Sequence, residues 1–185
     1  MSAFEHVGDT PVYDGYIWRV VVGEFRDPDG GTFTRDIVRS PGAVAAVPLL
    51  ERDGSEPRIV LTRQFRAAFN DFIIEVPAGM RDVKGEDPAG TARRELIEEA
   101  GYDAEEFVLL HHFYPSTGMT DSTLHVYLAR GLTLVGRDSQ GPEETHMEVF
   151  DVTLSEAVDM VVRGEIADAK SAIGILLTER LLRES

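Results

Sequence analysis

The stretch from Asp87 to Gly101, DPAGTARRELIEEAG, limits the possible folds more than any other part of the chain. Asp87 suits an N-cap, Pro88 the first helical position and Gly101 the residue just past the end, so one helix is expected from about Pro88 to Ala100. Ala89, Ala92, Leu96 and Ala100 form an apolar stripe that needs a core beneath it. Glu95, Glu98 and Glu99 fall at i, i+3 and i+4, so their side chains share an adjacent face. Like charges so placed cost roughly a few tenths of a kcal/mol even when exposed. Arg93 and Arg94 can relieve part of that repulsion. A hard divalent cation relieves more, because Mg2+ favours a few carboxylates together with phosphate oxygens. From spacing alone, a solvated acidic face accounts for the stripe equally well.

Around this helix the pattern is largely that of strands. Residues 12–39 read as strand–turn–strand, with aromatic and β-branched residues from Tyr16 to Val22, turn residues from Phe25 to Gly31, and alternation from Thr32 to Val38. Ala43 to Leu50 and Arg58 to Phe65 read as buried strands, and Phe72 to Val76 as a short one ended by Pro77. Val108 to Tyr114 and Thr123 to Ala129 read as strands around a loop, with a further strand from Met147 to Val152. Helices are expected from Leu154 to Arg163 and from Ala169 to Arg183. The order implies an α+β fold: an antiparallel β module over residues 1–40 ahead of one mixed domain over 41–185.

Composition excludes several function classes. The chain has 185 residues, a net charge of −15 and no cysteine. Such acidity argues against nucleic-acid partners, and a phosphorylated substrate would need local arginines or bound metal. Zinc–thiolate sites and cysteine nucleophiles are ruled out. No apolar run approaches the ~18 residues of a membrane span, and the N-terminus lacks a secretory pattern. A cytoplasmic protein with no membrane partner is the expectation.

Gly79, Glu86, Arg94-Glu95-Leu96, Glu98-Glu99 and Gly101-Tyr102 together resemble the Nudix box. Six residues separate Gly79 from Glu86 where that family has five; the extra one falls in a loop. Tyr13 to Val38, Arg63-Gln64-Phe65-Arg66, Glu75-Val76-Pro77-Ala78-Gly79 and Gly164 to Lys170 are similar to the ADP-ribose pyrophosphatases of that superfamily. The resemblance implies a Nudix α/β/α sandwich with a mixed sheet. It also implies hydrolysis of the diphosphate linkage of a nucleoside diphosphate sugar, with ADP-ribose giving AMP and ribose 5-phosphate. Mg2+ or Mn2+, two or three per site, would be held by Glu95, Glu98, Glu99 and the carbonyl of Ala78. Glu98 and Glu99 would also serve catalysis, while Gly79, Glu86, Arg94 and Gly101 would shape the motif, with Glu86 pairing to Arg94.

The loop after the box departs from the subfamily. A proline and a glutamate are usual there, and this chain has Thr117 and Ser122. Serine is a poor general base at neutral pH. Asp121 and Glu144 (with Glu143 beside it) are the candidate bases, and neither outranks the other. Another nucleoside diphosphate derivative, or a non-catalytic nucleotide sensor, therefore remains an alternative, although a sensor would be expected to lose box carboxylates.

Arg35, Arg63, Arg66, Glu75, Gly118 and Met119 are the candidate substrate contacts. Trp18, Phe33 and Phe65 are candidate walls for a base. Surface charge is the plain alternative for Arg35 and Arg63, and core packing for the aromatics. The subfamily resemblance further implies a homodimer in which the N-terminal module of each chain lends a wall to the substrate site of the other.

Overall fold

The structure is a computed structural model that describes residues 3–137 and 145–184. The residues cluster into two compact units, Met1–Gly42 with Tyr114–Thr123, and Ala43–Phe113 with Leu124–Ser185.

The first unit is a three-stranded antiparallel sheet in the order β1 (Glu5–Asp14), β2 (Arg19–Arg26), β3 (Thr32–Arg39). The Asp27 carboxylate closes the β2–β3 turn by accepting from the Asp29 and Gly31 N–H groups at 2.9 and 2.8 Å. Residues 114–123 lie along β3, with Val38 N–H donating to the Met119 carbonyl at 2.9 Å and Thr120 Oγ1 to the Val38 carbonyl at 2.7 Å. The sequence led us to expect two strands here, and β1 is a third. Its EHVGDTPVYD composition is poor in strand formers, and its ladder is irregular around Gly8 and Pro11. An edge strand tolerates both residues because only one side of it must pair.

The second unit is an α/β/α sandwich. Its sheet runs β10 (Glu148–Thr153), β5 (Arg58–Arg66), β4 (Ala43–Leu50), β9 (Leu124–Leu134), β8 (Tyr102–Phe113). Two shorter strands, β6 (Asp71–Glu75) and β7 (Ala78–Met80), add on to β5 and β4. β4 and β9 are parallel and the other pairs antiparallel, so the sheet is mixed. The unbroken apolar run AVAAVPLL of β4 follows from burial on both faces. On one face, α1 (Pro88–Glu95) and the turn after it set Ala92, Leu96 and Ala100 against Val44, Ala46, Tyr127 and Ala129. On the other, α2 (Leu154–Val162) and α3 (Ala169–Arg183) pack Leu154, Ala157, Met160 and Ile175 on Ala45, Val47, Val126 and Leu128.

Four details differ from expectation, one being β9, which runs on to Leu134 past the expected end at Ala129. β8 begins at Tyr102 instead of about Val108, because the acidic residues Asp103, Glu105 and Glu106 obscure its alternation. β7 is too short to show as a pattern. The expected helix to Ala100 is α-helical only to Glu95; Leu96–Ala100 is a π turn, ended by Gly101 in the left-handed region at φ 76°. No helix among the described residues is long and apolar enough to cross a membrane.

Candidate active site

The loop Val76 to Asp87 delivers the chain from the sheet to α1. The Asp87 carboxylate caps α1 by accepting from the N–H groups of Ala89 and Gly90, both at 3.0 Å. β7 then lies directly against the acidic side of the helix. A Cβ on Gly79 would fall 2.1 Å from the carboxyl carbon of Glu95, so only glycine lets backbone and carboxylate approach this closely.

The three box carboxylates leave the helix in two directions. Glu99, 4% exposed, accepts from the Ala78 N–H at 2.9 Å and from Gln64 Nε2 at 3.2 Å. Glu95 and Glu98 turn instead to Arg94, whose Nη1 donates to them at 2.7 and 3.1 Å. Arg94 also reaches Glu86 in the preceding loop at 3.4 Å. The i→i+5 bonding of the π turn places Glu98 and Glu99 differently from a straight α-helix, and such turns are frequent at functional sites.

The charges are unequally compensated. Burial pushes the Glu95 carboxyl up to about 7; Arg94 opposes the shift, and Glu99 and Glu98 reinforce it. Burial works against the Arg94 charge, yet Glu95, Glu86 and Glu98 together hold its guanidinium above the ordinary range. Among the described residues, no three His, Cys, Asp or Glu side chains close on one point that could hold a metal ion. The donors are nevertheless hard oxygens, and Glu95 lacks full compensation, which fits a cation such as Mg2+. That ion takes a few carboxylates plus substrate oxygens more readily than an all-protein cage.

A pH dependence follows. The folded-state pKa of Glu95 is raised from 4.5, so its contribution to stability is complete below that value and is lost as pH rises through about 7. By that shift the metal-free protein loses on the order of 3 kcal/mol from this one group. A cation selects the carboxylate form and releases the proton. The rise in Tm on adding Mg2+ should therefore be larger at pH 8 than at pH 6, as read by differential scanning fluorimetry. An equal rise at both would contradict the role given to Glu95.

Other candidates are placed as follows. Arg63 lies 3.5 Å from Glu148 and its guanidinium sits over the Phe72 ring. Phe65 meets Phe72 edge-on. Arg66 and Lys170 both bond the buried Glu75. In the first unit, Arg35, Gly118, Met119 and Asp121 line one cavity of about 370 Å3 together with Phe25 and Phe33. Phe25 stacks on Phe33 at 5.5 Å and the Arg35 guanidinium lies 4.8 Å from the Phe33 centroid. Trp18, 55% exposed, lines a second cavity, also bordered by Asp121. The Asp121 carboxylate accepts from Arg39 Nη1 at 3.1 Å and from the Ser40 N–H at 3.0 Å. Glu143 and Glu144 lie outside the described residues. Gln64 and Lys170 were not singled out from sequence. The Arg63-Gln64-Phe65-Arg66 run, already similar to the subfamily, was the available signal for Gln64.

The Nudix domain profile matches residues 39–171. The chain belongs to the Nudix hydrolase family. It is 37% identical over 164 residues to an ADP-ribose pyrophosphatase of Bacillus subtilis, covering 89% of this chain and 86% of that one. It is 36% identical over 173 residues to an ADP-ribose pyrophosphatase of Mycobacterium tuberculosis, covering 94% and 82%. A crystal structure of an ADP compounds hydrolase superposes with a TM-score of 0.83 at 17% identity, covering 100% of this chain and 96% of that one, which establishes the α+β Nudix fold.

Proposed function

We propose that this chain hydrolyses ADP-ribose to AMP and ribose 5-phosphate with Mg2+ or Mn2+, in the cytoplasm. The observation that carries the reading is the box itself: Glu99 buried and held on the Ala78 N–H, with Glu95 and the half-buried Glu98 gathered on Arg94 next to it. Likeness to two ADP-ribose pyrophosphatases over most of the chain supports the substrate. Glu95, Glu98, Glu99 and the Ala78 carbonyl would hold the cations. When bound, these neutralise phosphate oxygens and lower the pKa of water. Arg94, now on Glu95 and Glu98, would keep those carboxylates aligned. The aromatic cavity with Arg35 suits a purine and an adjoining phosphate, since a guanidinium can grip phosphate in a bidentate way. Asp121 is held as a carboxylate acceptor by Arg39 and Ser40 and stays a candidate base. Another nucleoside diphosphate derivative is the second reading, favoured by Thr117 and Ser122.

The test is a substrate panel read by phosphate and AMP release, with and without chelator. ADP-ribose should be cut with higher kcat/KM than nucleoside triphosphates, and excess EDTA should abolish turnover. Triphosphates ahead by tenfold would overturn the substrate assignment.

We also propose a homodimer formed through the N-terminal module, each chain lending its aromatic wall to the other. Nearly all of β1 is exposed, and Phe4, Tyr13, Tyr16 and Trp18 present large apolar surface. A small sheet needs a packed face to be stable, and a two-fold contact would cover this one. Light scattering at micromolar concentration should give twice the 20.4 kDa of one chain. A monomer mass would sink the dimer.

A further inference from the structure

The N-terminus of α3 is joined to the segment that carries the box glycine. The Glu75 carboxylate, 4% exposed, is held by Arg66 on one side and by Lys170 Nζ at 3.2 Å on the other. Lys170 also bonds Asp168 at 3.0 Å. Asp168 caps α3 by accepting from the Ser171 N–H, and it accepts from Ser171 Oγ as well. That hydroxyl in turn accepts from the Val76 N–H at 2.9 Å.

Each residue from Glu75 to Ala78 is thus pinned. The Glu75 carbonyl accepts from Thr62 Oγ1 at 3.2 Å, and the Pro77 carbonyl from the Ala46 N–H at 2.9 Å. The Ala78 N–H is the donor to Glu99. Pro77 fixes its own φ, so a displacement at Glu75 has little freedom to dissipate before it reaches Ala78. A buried carboxylate stripped of one of its two cation partners is less fully compensated and is drawn toward the one that remains, here Arg66.

We propose that Lys170 is a positioning residue for the active site, acting through Glu75 on the Ala78 peptide and so on Glu99. It rests on the reading of the box as a cation site. The ion pairs of Lys170 run to Glu75 and Asp168; its effect travels through backbone that both presents a carbonyl to the site and holds Glu99 by its N–H. Ligand-orienting contacts of this kind typically account for about 10–100-fold in metal affinity or activity.

The experiment compares full-length wild type with Lys170→Met, Lys170→Gln and Lys170→Arg. Mn2+ binding to the metal-free chains is followed by electron paramagnetic resonance, alongside kcat and KM for ADP-ribose. We expect Lys170→Met to weaken Mn2+ binding and lower kcat by about tenfold each, with KM changed less than about twofold. Lys170→Arg, which keeps a cation on Glu75, should recover most of both. If the methionine variant does not fold, Lys170→Gln gives the same readings with a hydrogen bond retained. A folded Lys170→Met or Lys170→Gln chain with unchanged Mn2+ affinity and kcat overturns the proposal, whatever its Tm, and so does a loss confined to KM. A wild-type chain that neither binds Mn2+ nor cleaves ADP-ribose overturns the reading of the box, and the proposal with it.

Discussion

Replacing Glu99 by glutamine should reduce kcat by about a thousandfold or more while leaving the fold intact. The carboxylate lies at the junction of π turn and β7 loop, 4% exposed, between the Ala78 N–H and Gln64 Nε2. A glutamine fits the same space. Its oxygen can keep the Ala78 N–H, and its amide can face Gln64 once that side chain turns over to present its own oxygen. The hydrogen bonds therefore survive and the negative charge does not. Circular dichroism and Tm should match wild type to within a few degrees, and Mn2+ affinity should fall with the rate. Full turnover by the Glu99→Gln chain would remove Glu99 from the site.

The second large effect is at Gly79. A methyl group there would stand 2.1 Å from the Glu95 carboxyl carbon and 2.2 and 2.3 Å from its oxygens, all well inside contact distance. Gly79→Ala must therefore push the Glu95 carboxylate away from β7 or push β7 off the sheet. Overpacking of this kind costs about 1–3 kcal/mol. The loss of activity should be far larger than that loss of stability suggests, at least about a hundredfold in kcat, because a misplaced group of the reacting site costs rate steeply. The diagnostic is the Mg2+ concentration at half-maximal rate, which should rise sharply in Gly79→Ala. If that concentration is unchanged, the glycine serves the loop alone.

Both effects depend on residues that the sequence exposed to different degrees. The start of α1 and the end of the π turn that continues it were legible because Asp87, Pro88 and Gly101 each do a local job that spacing reveals. The α+β class was legible because β4 is apolar at every position and the helices are apolar on one stripe; the sandwich itself came with the Nudix resemblance. The π turn was not, since LIEEA holds nothing that separates a wide turn from an α turn; tertiary packing decides it. β1 was hidden by Gly8 and Pro11, which edge position tolerates. The partnerships of Glu75 with Lys170 and of Val76 with Ser171 each span 95 residues of chain. Such pairing arises only when α3 is laid on the sheet, so no local pattern could carry it. The resemblance implied Arg94 as a partner of Glu86 and the spacing offered it as relief for the box carboxylates; that it serves Glu95 and Glu98 required the side-chain geometry.

The π turn at Leu96–Ala100 has a consequence for how this protein can be improved. A π turn is an α-helix with one residue more than its hydrogen bonds require. Deleting one residue there would restore regular i→i+4 pairing and remove the local geometry that sets Glu99 against the Ala78 peptide. The shortened helix would gain regularity and lose its grip on the site. Heat resistance and turnover thus pull this one turn in opposite directions. Screens that reward survival at high temperature alone will collect inactive chains altered between Leu96 and Gly101.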